Sequence, residues 1–404
     1  MISKSDVKKL STLRTGGSAV LSLYLSVPMD PAQLRGLPPR AAELMAQPQA
    51  AVAQLSAGDR DAVLTRIGRL GRDWLGHTVA IFACGDIGLL EMYRLPSNIT
   101  ERAVLGIRPH VRPLLAAAQL WPPYRVAVVD RRHSWVFAVT GDEISTVAAH
   151  TDPTMPSSDF GGWYGLEAYR VHERVIQLAR HHYRDTAAIL AQVIRDGEPE
   201  PLVIGGHHDG VRQLLRYLPP AVHEEFAGSF AADTHQLTPA RVRELAEPLV
   251  ARWARNRAEQ LATQIPQLPP ARTAIGLADC LAAVNARAVE VLVVPDTEVI
   301  PGYLCGRCDT LCSEADGCPD WGTASQPVPD LVEEMITRTL DDGGQVSVAP
   351  PRAPGAATPT PGTPPPAGPG TAPAGPGTAT PAPGAAAGDR LCAKLRYPML
   401  PSSR

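Results

Sequence analysis

Residues 124–150 read YRVAVVDRRHSWVFAVTGDEISTVAAH, and this stretch decides the fold. Its three apolar runs, YRVAVVD, SWVFAVT and ISTVAAH, are rich in β-branched and aromatic residues and are parted by RRH and GDE turns. That pattern predicts three short strands in an antiparallel meander. A loop, TDPTMPSSDFGGWYG, then leads into a helical pattern from about Leu166 to Asp196. PLVIGG reads as a buried strand followed by a helix. FAGSFAAD reads as another strand, followed by the helix LTPARVRELAEPLVARWARNRAEQLATQI. Strands alternating with helices make residues 123–265 an α/β middle domain.

Working outward, residues 1–122 form an N-terminal α/β domain. Ala19–Val27 (AVLSLYLSV) is a strand, and helices are expected over Arg40–Leu55 and Asp59–Leu75. HTVAIFACGDIGLLEMYRL gives two strands that turn near Gly85 and Asp86. A helix over His110–Gln119 ends at the Pro122–Pro123 boundary. Beyond the PQLPP linker, residues 270–346 and 389–404 make a C-terminal domain. TAIGLADCLAAVNARAV is expected as a helix and VEVLVVP as a strand. PDLVEEMITRTLDDGGQVSVA then reads as helix, Gly-Gly turn and strand. Residues 347–388 are almost entirely Pro, Ala, Gly and Thr, a composition that predicts a disordered insertion. DRLCAKLRYPML beyond it regains apolar character, as a strand returning to the same sheet would.

The 404 residues suit two or three domains, and the fold class is α/β, multidomain. A net charge of −3 with a pI near 6.4 excludes a protein that coats nucleic acid by bulk electrostatics, so RNA contacts must be focal. No window reaches the ~18 apolar residues of a membrane span. The lysines of MISKSDVKKL precede no apolar run, so a cytoplasmic protein is expected.

Four of seven cysteines, Cys305, Cys308, Cys312 and Cys318, are spaced C-x2-C-x3-C-x5-C. Four thiolates can satisfy tetrahedral zinc, which would be structural; packed free thiols are the alternative. Gly161 and Gly162 can take backbone conformations closed to other residues, and by themselves are a turn. Their setting, a Pro/Ser-rich loop followed by Trp163, Tyr164 and Gly165 and then a basic helix, suggests a loop tip that probes RNA by stacking. On the helix, Arg170 lines up with Arg174, and Arg180 with Arg184, a face suited to phosphate or simply solvated. Asp209, after His207 and His208, is expected as a helix N-cap. Asp130 ends the first meander strand without the partner carboxylates that two-metal nuclease chemistry needs.

From about Tyr124 to Pro398 the chain resembles the archaeo-eukaryotic class 1 release factors and Pelota, and more closely their bacterial branch, the Balon-like ribosome-associated factors. The likeness rests on the order of VVDRRHSWVFAVTGDE, the Gly-Gly loop, the basic helix, LVIGGHHDGV, the cysteine-bearing hairpin, and DLVEEM through GGQVSVA to LRYP. It implies an RNase H-like middle domain and a C-terminal α/β sandwich resembling ribosomal K-turn-binding proteins. In those factors the loop tip is Gly-Gly-Gln, whose glutamine helps water attack the peptidyl-tRNA ester. Here Trp163 follows the glycines, and in the GGWSQ arrangement of bacterial relatives Gly165 falls at the glutamine position. Glu167, the nearest polar substitute, cannot donate as an amide does. Relatives with a metal show a second CPxCG pair, whereas CPDWG here has Trp321, leaving Cys312 to complete the set.

The resemblance thus implies a factor that binds the ribosomal A site, touching ribosomal RNA and tRNA, in hibernation, rescue or quality control, without hydrolytic release. Delivery by a translational GTPase such as elongation factor Tu is compatible with it. A peptidyl-tRNA hydrolase acting through backbone donors, and a stress-related interaction protein off the ribosome, stay open as alternatives. Residues 1–120 hold no recognisable codon-reading motif, so binding independent of a stop codon is expected.

Overall fold

The computed structural model describes residues 4–13, 15, 18–46, 55–95, 99–141, 143–152, 166–195, 200–234, 237–296, 299–315, 317–318, 320–322, 326–349 and 390–399. The proline-rich stretch lies outside them. The chain divides into two compact units, Met1–Gln260 and Leu261–Arg404. No helix among the described residues is long and apolar enough to cross a membrane.

The first unit opens with α1 (Lys4–Ser11), β1 (Val20–Ser26), α2 (Leu37–Ala46), α3 (Ala57–Ile67), β2 (Thr78–Cys84), β3 (Leu89–Leu95), β4 (Arg102–Gly106) and α4 (Arg112–Leu120). The four strands form an antiparallel sheet of order β3-β2-β1-β4. Alternate residues Leu21, Leu23 and Leu25 of β1 pack with Val79 and Ile81 of β2 against Ala41 of α2 and Val63 and Ile67 of α3.

Both expected helices are shifted. The first begins earlier, after a 3-10 turn whose Asp30 side chain accepts the Ala32 N–H. The second starts where Ser56 Oγ accepts the Asp59 N–H at 3.0 Å and stops at Gly68, short of Leu75. Strand β4 was not predicted: RAVLG is short and half-buried throughout, and only its pairing with β1 makes it a strand.

The meander follows as expected: β5 (Tyr124–Val129), β6 (His133–Thr140) and β7 (Glu143–Thr151). Then come α5 (Leu166–Arg195), β8 (Leu202–Gly206), α6 (His208–Tyr217), α7 (Pro220–Glu224), β9 (Phe226–Ala231) and α8 (Pro239–Gln264). The sheet order is β7-β6-β5-β8-β9, with the meander antiparallel and β5, β8 and β9 parallel.

YRVAVV is apolar on both sides because both faces of the sheet are covered. Ala127 and Val129 pack with Ile204 against Tyr183, Ala187 and Leu190 of α5 and Leu214 of α6. Tyr124, Val126 and Val128 pack with Val203 against Val242, Ala246 and Val250 of α8. The glycines of PLVIGG are required by this packing. A Cβ on Gly205 would lie 2.4 Å from the Phe230 ring, and Gly206, at φ +144°, would drive one to 2.2 Å from the Val129 carbonyl oxygen.

The second unit contains β10 (Thr273–Ile275), α9 (Gly276–Asn285), β11 (Val289–Pro295), β12 (Gly302–Leu304), β13 (Leu311–Cys312), β14 (Gln326–Val328), α10 (Leu331–Asp341), β15 (Gln345–Ala349) and β16 (Cys392–Leu395). Residues 273–275 form a strand where a helix was expected, and Gly276, at φ +80°, turns the chain from strand into helix. The returning strand is real: β16 sits inside the sheet, order β10-β16-β11-β15. Val293 and Cys392 of this sheet pack with Ile265, and α10 turns Leu331, Val332, Met335 and Ile336 inward. The small sheet β13-β12-β14 carries the cysteines.

Candidate functional site

The α5 helix has an apolar side and a cationic side because its residues keep a helical period over eight turns. Tyr183, Ala187 and Leu190 are buried, while Arg174, Arg180 and Arg184 are exposed. The loop residues Gly161, Gly162, Trp163, Tyr164 and Gly165 lie outside the described residues, as does the side chain of Arg170.

Arg180 and Arg184 do share a face, and the Arg184 guanidinium lies over the Tyr217 ring of α6 at 5.1 Å. The neighbouring helix contributes Arg212 and Arg216, both exposed. Sequence reasoning missed this pair, although its i, i+4 spacing in VRQLLRY was the available signal. Among the described residues no carboxylate pairs with Arg174, Arg180, Arg184, Arg212 or Arg216. Such unpaired forks keep their donors for an external anion such as phosphate.

Beneath this face is a group of histidines that the sequence did not announce. His182 is fully buried, and its ring stacks on His150 of β7 with centroids 5.1 Å apart and planes 13° apart. Burial lowers its pKa. The charge of His150 acts in the same direction, while the His133 backbone and the Asp130 and Asp152 carboxylates oppose it. Nearby, Thr186 Oγ1 lies 2.8 Å from the His182 carbonyl oxygen and 3.0 Å from Ser134 Oγ, fastening α5 to β6.

Asp130 is a loop organiser. Its Oδ1 accepts the N–H groups of Arg132 at 2.7 Å and His133 at 2.6 Å, and its Oδ2 accepts the Thr234 hydroxyl at 2.8 Å. Burial pushes its pKa up, but these bonds prevail and hold it below the usual value. Asp209 is not the N-cap it was expected to be. Gly206 sends the chain out of β8 so that His207 takes the cap position, and Asp209 falls in the first helical turn, favourably placed against the helix dipole.

In the second unit the Sγ atoms of Cys305, Cys308 and Cys318 all lie within 4.8 Å of one another. The fourth expected ligand, Cys312, is buried in the same cluster but stands outside that trio. Its Sγ is directed at the Thr310 carbonyl, 3.7 Å away. The cause is local: Cys312 belongs to β13, whose pairing with β12 fixes the side-chain direction. The N–H groups of Cys308 and Arg307 point at Cys305 Sγ and lower its pKa to about 7. The N–H groups of Trp321 and Asp320 point at Cys318 Sγ, although burial raises that thiol.

The five-stranded mixed sheet thus carries, on the face that α5 covers, a long helix with three exposed arginines. Residues 109–259 match the family model described as bacterial archaeo-eukaryotic release factor family 10. Several solved structures are also similar. The archaeal translation termination factor aRF1 shares 12% identity, with 98% of this chain and 99% of that one covered, at a TM-score of 0.26. Ribosome-bound archaeal Pelota, from a model that includes ABCE1, shares 13% over 86% and 88%, at 0.35. The Saccharomyces cerevisiae factor Dom34, a translation termination-like protein interacting with Hbs1, shares 9% over 81% of each chain, at 0.35. No curated protein matches the chain.

Proposed function

We propose that this chain is a ribosome-associated, release-factor-like translation factor that occupies the A site in hibernation, rescue or quality control and does not release the peptide by hydrolysis. The observation that carries this reading is the family match over 109–259, because that span includes the Gly161–Gly165 loop and all of α5. In this reading the arginines of α5 hold ribosomal RNA or tRNA phosphates, displacing counterions. The loop sequence FGGWYG offers two aromatic rings for stacking, and none of its residues carries the side-chain amide of glutamine.

The RNase H-like description of the five-stranded unit is part of the proposal, supported by its strand order of three antiparallel strands followed by two parallel ones. A second unit like ribosomal K-turn-binding proteins, a cytoplasmic location and a translational GTPase partner such as elongation factor Tu complete it.

The test is cosedimentation of the purified chain with bacterial ribosomes through sucrose at two salt concentrations, beside a variant carrying R170A, R174A, R180A and R184A. The expected result is salt-sensitive pelleting of the wild type that the variant loses, with no ester release from stalled peptidyl-tRNA. Failure of the wild type to pellet with empty, stalled and stationary-phase ribosomes alike would overturn the reading.

A further inference from the structure

The cysteine hairpin supports an inference that does not depend on the ribosome. We infer that Cys305, Cys308 and Cys318, without Cys312, form a three-thiolate site for a thiophilic divalent cation such as zinc, with the fourth coordination position open to an exogenous donor.

The first support is the convergence of the three sulfurs. Cys308 and Cys318 approach to 3.5 Å, and all three fall within 4.8 Å. Three sulfurs around one tetrahedral ion, at Zn–S bonds of about 2.3 Å, would stand within roughly 4 Å of one another, so little movement is needed. The second support is burial. Cys305 opens a first turn and Cys318 a second, and both are buried in one cluster with Cys308 partly buried beside them, so the three sulfurs converge inside the fold and not on open surface.

The third support is what stands at the remaining place. In the second turn Trp321 occupies the position that Cys308 occupies in the first. An indole nitrogen is a donor only, so it cannot ligate. The Arg307 guanidinium of the first turn lies 4.9 Å from the centroid of that ring, a cation–π contact that joins the two turns where a shared fourth ligand would otherwise do so. Cys312 meanwhile is held by β13, and its sulfur faces the Thr310 carbonyl. A site with three protein ligands keeps a position that water or another donor can enter, which a four-cysteine structural site does not.

The experiment uses the full chain, purified under reducing conditions and loaded with Zn2+ or, for spectroscopy, Co2+. Metal analysis should give close to one zinc per chain for the wild type and for Cys312→Ser, and none for Cys305→Ser, Cys308→Ser or Cys318→Ser. Thiolate-to-cobalt charge transfer should be the same in the wild type and Cys312→Ser, and the wild-type cobalt spectrum should shift when imidazole is added. Trp321→Cys supplies a fourth thiolate. It should raise the charge-transfer intensity by about a third and abolish the imidazole response. Because that variant gains a ligand, the outcome does not hinge on a damaged fold. Loss of zinc in Cys312→Ser, indifference of the wild-type spectrum to imidazole, or a wild type that takes up no metal would each overturn the inference.

Discussion

Helices α5 and α8 cover opposite faces of one sheet, and both read in the sequence as long and rich in arginine. Their outer faces are arranged differently. On α8, Arg241 pairs with Glu244 at 2.7 Å and Arg243 with Glu247 at 3.2 Å, and Arg257 lies over the Trp253 ring and 3.9 Å from Glu225; only Arg252 and Arg255 are exposed without a carboxylate partner among the described residues. On α5 the described arginines meet no carboxylate, and the one with a partner, Arg184, rests on a tyrosine ring that leaves its charge uncompensated. Arginine count therefore says little about binding. Whether acids sit three or four residues away, within reach of each fork, decides whether the charge is spent inside the fold or left for a ligand.

The inner faces differ too: α8 presents Val242, Ala246 and Val250, whereas α5 buries a histidine among its apolar residues.

The comparison can be broken in three places. The largest effect should come from inner-face truncation. Leu190→Ala removes a fully buried side chain of α5 and should cost about 2–5 kcal/mol in urea unfolding, with Val250→Ala on α8 costing on the order of 1–3 kcal/mol. A Leu190→Ala loss below about 1 kcal/mol would mean that α5 is not docked as described.

Next comes acid. Because burial depresses the pKa of His182 below 6.5, the unfolded chain binds the proton that the folded chain refuses. Stability should hold above that value and fall as pH drops beneath it, with a slope of up to about 1.4 kcal/mol per pH unit from this group. His110, also held well below 6.5 by burial and by Arg112 and Arg102, adds in the same direction. His182→Leu should therefore flatten the acid limb of a stability–pH curve without abolishing it. An unchanged limb would remove the distinction between the two inner faces.

The smallest effect belongs to the paired arginines. Arg243→Ala should change stability by only about 0.3–0.5 kcal/mol and leave ribosome pelleting untouched. A pelleting loss as large as that of the α5 variant would erase the contrast between the outer faces.

Much of this architecture was legible. The meander, the helix from Leu166, the glycine-ended strand and even the returning strand follow from periodicity and from turn residues, which are local signals. What escaped is non-local. RAVLG becomes β4 only because β1 offers a free edge, and Thr273–Ile275 becomes a strand because β16 returns beside it. At the site, Arg212 and Arg216 were readable from spacing but stood in the shadow of α5. The stacking of His150 on His182 was not readable, since it joins residues of two elements. The clustering of the four cysteines was legible in their spacing, yet spacing does not report that the sulfurs of Cys305, Cys308 and Cys318 converge as a trio while that of Cys312 lies 3.7 Å from the Thr310 carbonyl.

The place of β16 has a consequence for how the chain is made. Its neighbours β10 and β11 leave the ribosome long before it does, and until Cys392–Leu395 emerges each faces a gap where its partner belongs. The Leu261–Arg404 unit thus cannot close vectorially as synthesis proceeds. Nascent chains should carry two unsatisfied strand edges through the whole of the intervening translation, a window in which slow elongation or a truncated message favours misassociation over folding.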